Sequence, residues 1–380
     1  MKEIKYVLGS QWGDCAKGKT VQYLCQEAIN QGKKPLVIRY CSGPQASHTV
    51  MHNGITHVCS SFGSGVLLGV PTLITSVQPA LIDPIALKSE YEVLKQKGIT
   101  PIYDFWGDCI VITPYDVITN RLNKESLANG TCGCGVWETL NRVNETEDGY
   151  IRDIKDSSEE ELKAFLEDVR NFYNIDKQEE LENEFINAFN FVYESTTNLY
   201  VGDYDVLIME SSQGLLLDGE HGLKPYITPC AIGPVRRYGK LIQYWWFEDE
   251  LDYEIYLCTR TYTTRHGAGY IPKESDYIKY PTFEANKDNQ YQGQFKTGIL
   301  DIDMINRAID KHCLDNIENC KFNLVINHVD CVGSMFEYIY QGRIHVVPGF
   351  DAVTRIQNLI NLKFDKVLIG RSPLSEFEIK

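Results

Sequence analysis

Near the amino terminus the run Gly13-Asp14-Cys15-Ala16-Lys17-Gly18-Lys19-Thr20 has the spacing G-x-x-x-x-G-K-[ST] of a phosphate-holding loop. The chemistry of such a loop is mostly backbone. Gly13 and Gly18 let the chain curl so that several N–H groups face one anion, and Lys17 and Lys19 add positive charge. The positive end of a following helix strengthens the same field. Asp14 stands inside this cradle and opposes an anion. A carboxylate there makes sense as a Mg²⁺ ligand or as a proton acceptor. The structural alternative is a cap on the helix that follows.

Three further groups could act with it. Arg39-Tyr40-Cys41-Ser42-Gly43-Pro44-Gln45-Ala46-Ser47-His48-Thr49 offers a histidine suited to donating to a phosphoryl oxygen, although a lone histidine is more often structural. Glu210 to His221 contains Gln213, whose amide both donates and accepts and so can read a base edge; a polar strand-to-helix loop is the plainer reading. Asn327-His328-Val329-Asp330 is similar to the [N/T]-K-x-D tetrapeptide of GTP-binding proteins, where the aspartate pairs with guanine N1–H and the exocyclic amine, with His328 in place of lysine.

All these groups need elements that bring them to one edge. An apolar run, Ile4-Lys5-Tyr6-Val7-Leu8, precedes the phosphate loop, and Val21, Leu24, Cys25 and Ala28 give the helix after it one apolar face. Strands are expected at 33–40, 108–113, 205–210, 253–258, 323–327 and 366–369. Their alternation with helices predicts an α/β fold: a large, mostly parallel sheet flanked by helices, with a P-loop-like nucleotide-binding core. In such sheets ligands gather at the carboxyl ends of strands. Residues 144–200 are rich in Glu, Asp and Asn, with Leu162, Leu166, Val169 and Phe172 at amphipathic spacing, and predict a helical insertion. Residues 271–292 are polar and aromatic with little period, which predicts a loop or lid over about 271–296 within a single domain spanning 1–380.

Composition narrows the partners. The 380 residues carry a formal charge of -15, so nucleic acid and anionic membranes are not expected partners, and a nucleotide requires a locally basic pocket. No apolar stretch is long enough to span a bilayer, and the chain opens without a signal-peptide core, so a cytoplasmic protein is expected. Twelve cysteines in this length are too sparse for a disulfide scaffold and are read as reduced. Cys132-Gly133-Cys134 has no second cysteine pair at zinc spacing and reads as small residues in a glycine-rich loop.

Taken together, the motifs resemble the adenylosuccinate synthetase family. Gln11 to Lys19 resembles its Q-W-G-D-E-G-K-G-K, and Ser42 to Thr49 its G-G-N-N-A-G-H-T. Gly130 to Gly135 resembles G-T-T-G-R-G; Glu210 to Gly222 resembles E-G-A-Q-G-x-x-L-D-x-x-H-G; Tyr262 to Gly269 resembles Y-x-T-R-x-G-A-G. Asn327 to Asp330 stands for T-K-L-D, and Thr297 to Asp301 for T-G-x-L-D. The matches run in order over nearly the whole chain. The resemblance implies a GTP-dependent ligase in which Asp14 takes the N1 proton of IMP, O6 attacks the γ-phosphate of GTP, and His48 stabilises the developing charge. Aspartate's amine then displaces phosphate at C6. Lys17 and Gln213 join Asp14 and His48 as catalytic candidates.

The same resemblance implies one Mg²⁺ per subunit, held at Asp14 and Ser47. Nucleotide and substrate contacts are expected from Gly13, Cys15, Ala16, Gly18, Lys19, Thr20, Gln45, Ala46, Thr49, Thr131, Cys132, Thr228 and Lys296. Guanine-side contacts are expected from Asn327, His328, Asp330, Gly370, Arg371 and Ser372. Arg142 is expected to reach the IMP of a neighbouring subunit in a homodimer. The departures are specific. The family's E-G is Cys15-Ala16, the glycine before the histidine is Ser47, and the second threonine and the arginine of G-T-T-G-R-G are Cys132 and Cys134. The family's T-T-G-R-R-R-R-T-G loop is here Tyr291-Gln292-Gly293-Gln294-Phe295-Lys296 before Thr297-Gly298, with one basic residue where a dicarboxylate wants bidentate arginines. The loop S-T-G-P is replaced by Ile369-Gly370-Arg371-Ser372-Pro373. Three alternatives therefore stand beside IMP and aspartate: a phage-type enzyme using dGMP to make 2-aminoadenylosuccinate, from which the retained Asp14 differs; a non-catalytic nucleotide-binding homologue; and a generic P-loop NTPase.

Overall fold

A computed structural model describes residues 2–380 apart from 42, 76–79, 129, 235, 238–239, 242–250, 280–283, 285, 287, 289 and 373–375; the side chains at 152, 236, 237, 240, 241 and 251 are likewise outside the description. Ser42, Pro373 and part of the expected lid therefore lie outside the described residues.

A nine-stranded sheet forms the centre. Its spatial order is Phe377–Ile379, Lys366–Gly370, Cys320–Asn327, Leu251–Arg260, Lys2–Gly9, Val206–Gly214, Pro35–Arg39, Thr72–Thr75 and Tyr103–Trp106. Every neighbouring pair is parallel except the first, where Phe377–Ile379 runs against Lys366–Gly370. The amino-terminal strand sits in the middle because it is apolar on both faces. Ile4, Tyr6 and Leu8 feed one core cluster and Val7 the other, the period-two alternation of a strand covered on both sides.

Helix Lys17–Asn30 covers the Val7 face. Val21, Leu24, Cys25 and Ala28 are all buried there, against Val37, Val206 and Ile208 of neighbouring strands. Burying a side chain such as Val21 or Leu24 contributes about 1.5–3 kcal/mol, which ties the helix start, and so the phosphate loop, to the sheet. A second sheet, Tyr262–Arg265, Lys296–Asp301, Met335–Tyr340 and Arg343–Pro348, and the hairpin His48–His52/Ile55–Cys59 flank the central one. Helices Ile151–Ile154, Glu159–Tyr173 and Glu179–Glu194 occupy the acidic stretch.

Two local expectations are corrected. The segment 108–113 contributes only Ile110–Val111, which pairs with Leu81–Ile82 in a separate small sheet; the edge of the central sheet is Tyr103–Trp106. Phe172 is not on the buried face of its helix: it is exposed, and Phe165 packs with Leu162, Leu166 and Val169 instead.

Candidate functional site

The carboxyl ends of the parallel strands point to one edge, where the first strand ends at Gly9 and the chain turns through the phosphate loop. That turn is built on left-handed backbone: φ is +125° at Gly13, 52° at Asp14 and 63° at Ala16. Ala16 is the cap residue of helix Lys17–Asn30, and no side chain caps it. Asp14 is therefore not the helix cap, and the first N–H groups of the helix remain available to an anion. The backbone carbonyl of Asp14 accepts from Arg260 Nε, and that of Gly13 from Thr264 Oγ1 at 3.0 Å, so that strands Leu251–Arg260 and Tyr262–Arg265 both fix the loop.

His48 faces the loop from the hairpin. Its approach depends on Gly18, since a Cβ there would lie 2.9 Å from His48 Cβ and 3.1 Å from Ser64 Oγ. Nδ1 of His48 is 2.5 Å from Oε1 of Glu210, and Nε2 is 3.3 Å from the carbonyl oxygen of Ser212. Glu210 also accepts from Ser64 N at 2.9 Å and from its hydroxyl, and lies 3.5 Å from Arg39 Nη1. Burial pushes the His48 pKa down, and the hydrogen bond to Glu210 only partly restores it; Lys17 and Arg39 push it down further. Burial alone would raise the Glu210 carboxyl, but the bonds from His48 and Ser64 and the charge of Arg39 bring it down to about 2. A neutral His48 donating from Nδ1 satisfies both groups. Negative charge arriving at the loop would favour the doubly protonated ring, which then has an acceptor at each nitrogen.

Two cavities open on this edge. The first is lined by the phosphate loop from Asp14 to Lys19, by Ser47, His48 and Thr49 and by Arg260, Asn327, His328 and Ser372. The second is lined by Gln45, Ala46, Thr131, Cys132, Gln213 and Thr228, with Trp12, Tyr226, Arg265 and His266. Asp14, Lys17, Ser47, His48 and Asn286 line both. A reaction joining a ligand in one cavity to a ligand in the other has these side chains at the boundary.

On the first side, Lys19 donates to the Ser372 carbonyl at 2.7 Å and lies 4.4 Å over the Phe377 ring. Burial pushes its pKa down to about 8, against the attraction of Asp330. Asn327 ties its strand to the loop through the Cys15 carbonyl at 3.1 Å. His328, in place of the family's lysine, is buried, and desolvation and the Arg260 charge drive its pKa to about 3, so it stays uncharged. Asp330 is exposed beside this cavity, its N–H donating to the Arg371 carbonyl at 3.3 Å. Gly370 leaves room for Asn327 Oδ1, which a Cβ would approach to 2.5 Å.

Several other expected residues lie outside the two cavities. Thr20 is fully buried, its hydroxyl donating to the Ala16 carbonyl at 3.2 Å, so it closes the helix start and lines neither cavity. Arg142 is buried and paired with Asp116 of its own chain, with Nε–Oδ1 at 2.9 Å and Nη2–Oδ2 at 3.0 Å, and lines neither cavity. Lys296 donates to the Gly267 carbonyl at 2.7 Å and lines neither cavity. Arg371 is paired with Glu378 at 2.6 Å on the surface. Cys15 lines the first cavity but is largely buried, and desolvation raises its thiol pKa, which keeps it protonated and poorly nucleophilic. None of the twelve cysteines forms a disulfide, and the Cys132 and Cys134 pair joins no metal-capable cluster among the described residues.

Arg260, Glu210 and His266 were not anticipated as site residues. Arg260 extends its strand two residues beyond the apolar run, pairs with Glu284 at 2.7 Å and lines the first cavity. For Mg²⁺, the donor set fits: the Asp14 carboxylate and Ser47 are hard oxygen donors on both cavity walls, and this ion takes one or two protein ligands and completes its shell with phosphate and water. The described clusters that could hold a metal by side chains alone, His57-Cys59-Glu90 and His328-Asp330-Cys331, do not include Asp14. Glu90 in the first is engaged by His57 and by the N–H groups of Ser60 and Ser61.

Comparison with known proteins adds an independent line. The family signature described as adenylosuccinate synthetase matches residues 6–361. The adenylosuccinate synthetase of Mesoplasma florum is 28% identical over 295 residues, covering 72% of this chain and 66% of that protein, so the matched stretch falls just short of two thirds of its length. The Acetivibrio thermocellus protein of the same name is 26% identical over 368 residues, covering 87% and 79%. Among solved structures, the fully ligated adenylosuccinate synthetase of Plasmodium falciparum aligns with a TM-score of 0.76 at 14% identity over the whole of both chains. Succinoaminodeoxyadenylate synthetase of cyanophage S-2L, solved with dGMP and with dATP as energy donor, aligns at 0.62 and 15% identity over 100% of this chain and 95% of that one. At these identities the two structures speak for the fold.

Proposed function

Since the chain belongs to the adenylosuccinate synthetase family, a family of GTP-dependent carbon–nitrogen ligases, we propose that it phosphorylates O6 of a purine nucleotide, IMP in the first instance, and replaces the oxygen with the amine of an amino acid, aspartate in the first instance. One observation carries the reading: two cavities meet at a boundary made of Asp14, Lys17, Ser47 and His48. The triphosphate occupies the phosphate-loop side, with Asp330 reading guanine, and the purine nucleotide occupies the side of Gln213, Thr131 and Thr228.

The steps follow from the residues. Asp14 removes the N1 proton, and the charge moves to O6. O6 attacks the γ-phosphorus, and GDP leaves with the bridging electron pair. His48, aimed by Glu210, and Lys17 stabilise the charge spreading over the transferred group. Phosphate is a far better leaving group than oxide, so the amine can then displace it at C6. Mg²⁺ held at Asp14 and Ser47 would neutralise part of the phosphate charge. Among the described residues of the second cavity, positive charge for an amino acid's carboxylates comes from Lys17 and Arg265, with His266 beside them. A homodimer and a cytoplasmic setting complete the proposal. Among the described residues no helix is long and apolar enough to cross a membrane.

The test is to combine protein, GTP, Mg²⁺, IMP and aspartate and to follow phosphate release and adenylosuccinate. Parallel reactions with dGMP in place of IMP, dATP in place of GTP and other amino acids identify the substrates. Nucleotide binding with no phosphate release in any combination would overturn the ligase and leave a binding protein.

A further inference from the structure

Arg265 ends strand Tyr262–Arg265 and lines the second cavity, where it is the one guanidinium among the described residues. It is only 4% exposed. Its Nη1 donates to the Tyr270 carbonyl at 3.1 Å, while its Nε is buried with no hydrogen-bond partner among the described residues. Burial pushes its pKa down to about 10, and the group opposing that shift is Tyr226, not a carboxylate. Its surroundings hold the plane of the group. The ring centres of Trp12 and Tyr226 lie 5.0 Å and 5.9 Å from Cζ. Gly269, at φ of +107°, lets the guanidinium lie against backbone where any Cβ would collide with it. The indole Nε1 of Trp12 is likewise buried without a partner among the described residues. Lys296, opposite Arg265 in the strand register, is engaged by the Gly267 carbonyl at 2.7 Å.

A buried cation with part of its donor edge unmet is costly, and an unpaired donor beside it adds to the cost. A bound oxyanion removes both penalties. A carboxylate takes two parallel bonds from the Nε–Nη2 edge of a guanidinium, and side chains commonly change rotamer to complete such a pair on binding. Two reactants of the second cavity carry oxyanions, the purine nucleotide and the amino acid. Position separates them. Trp12 stands two residues before Asp14, and Thr264, the neighbour of Arg265, donates to the Gly13 carbonyl at 3.0 Å. The guanidinium is therefore anchored to the loop that carries Asp14. A nucleotide that offers its purine edge to Asp14 has its phosphate at the opposite end of the molecule. The amino acid must bring its amine to C6, and its carboxylate with it, beside that same loop.

We propose, resting on the ligase reading above, that Arg265 is the specificity-determining residue for the amino acid: it receives one carboxylate of the incoming molecule through Nε and Nη2 and so aims the amine at C6. Arg265 moves no proton and forms no covalent bond; it acts by binding and orientation. A lysine at this position keeps the charge and loses the planar edge.

The experiment follows steady-state kinetics of the full chain with Mg²⁺, GTP and IMP against aspartate and its two monoamides, asparagine and isoasparagine. If the substrate is a monocarboxylic amino acid, its carboxamide replaces the two monoamides. One amide is expected to cost the unsubstituted protein about 100-fold in kcat/KM, because it removes the carboxylate that Arg265 holds. In Arg265→Met the KM for aspartate is expected to rise about 100-fold and the amide penalty to shrink to about threefold or less. The KM values for IMP and GTP are expected to stay within about threefold, the sign that the nucleotide sites are folded. Arg265→Lys is expected to lie between, about tenfold weaker for aspartate, and carries the same comparison if Arg265→Met does not fold. An unchanged KM for aspartate, an amide penalty of equal size with and without Arg265, or a rise in the KM for IMP in place of that for aspartate would overturn the proposal; the last would put the nucleotide's phosphate at Arg265. If the unsubstituted protein forms no product from any amino acid, the ligase reading itself falls and takes this role with it.

Discussion

Nδ1 of His48 lies 2.5 Å from Oε1 of Glu210, across 162 positions of sequence. The histidine sits on the hairpin after the second strand and the glutamate on a strand of the central sheet. The carboxylate sets the ring's tautomer and direction, as a buried acid does behind many working histidines.

Glu210→Gln should therefore act on both function and fold. Loss of the orienting carboxylate is expected to lower kcat about 100-fold. Arg39, fully buried, would lose its counter-charge, at a cost of about 3 kcal/mol. Steady-state kinetics and denaturant unfolding read the two effects separately.

Acid should reveal the same pair. The Glu210 carboxyl titrates near 2 in the fold against 4.5 unperturbed. A depressed carboxyl stabilises the fold fully above its unfolded value and loses that contribution as pH falls through the folded one. The contribution is about 3 kcal/mol, lost between roughly pH 4.5 and pH 2. His48, also depressed, is protonated first in the unfolded chain, so it erodes stability below its ordinary 6.5 in the same direction. The stability gap between the protein and Glu210→Gln is expected to narrow steadily below pH 4.5 when unfolding is followed by circular dichroism.

Gly18→Ala places a methyl group 2.9 Å from His48 Cβ. Alanine favours the helix by about 1 kcal/mol, so the melting temperature should change little, while displacement of His48 should cut kcat/KM at least about tenfold. A variant with unchanged kcat/KM would show that His48 does not need its present position.

Lys19 titrates near 8 and loses its charge above that value. The dissociation constant for GTP, measured by calorimetry, should rise as pH climbs past about 8, by about tenfold for one charged contact. Lys19→Met should bind weakly at pH 7 and show no such rise.

Arg142→Met tests what that arginine does. The buried pair with Asp116 predicts a loss of about 3–5 kcal/mol in stability. The KM for the purine nucleotide should stay unchanged, since the guanidinium touches neither cavity.

The phosphate loop was legible because the constraint is local: curled backbone demands glycine at fixed offsets, and Gly13 takes φ of +125°. The sheet was legible from its apolar runs. The role of Asp14 as cap or as free carboxylate was not, because it depends on the conformation of Ala16. Arg260 escaped notice because Thr259 and Arg260 continue a buried strand with polar letters. The pairing of Arg142 with Asp116 gave no signal because the two lie 26 residues apart on different helices. His266 gave no signal beyond its adjacency to Arg265, and only the folded chain sets it beside Asp14 and Phe295.

The partition formed by Asp14, Lys17, Ser47 and His48 has a thermodynamic consequence. A guest on one side alters the charge and placement of groups that the guest on the other side must touch. The two affinities cannot then be independent, and by linkage whatever factor the first guest imposes on the second is returned in equal measure. A bridging molecule that fills both chambers at once would collect the binding energy of each while losing its translational freedom a single time.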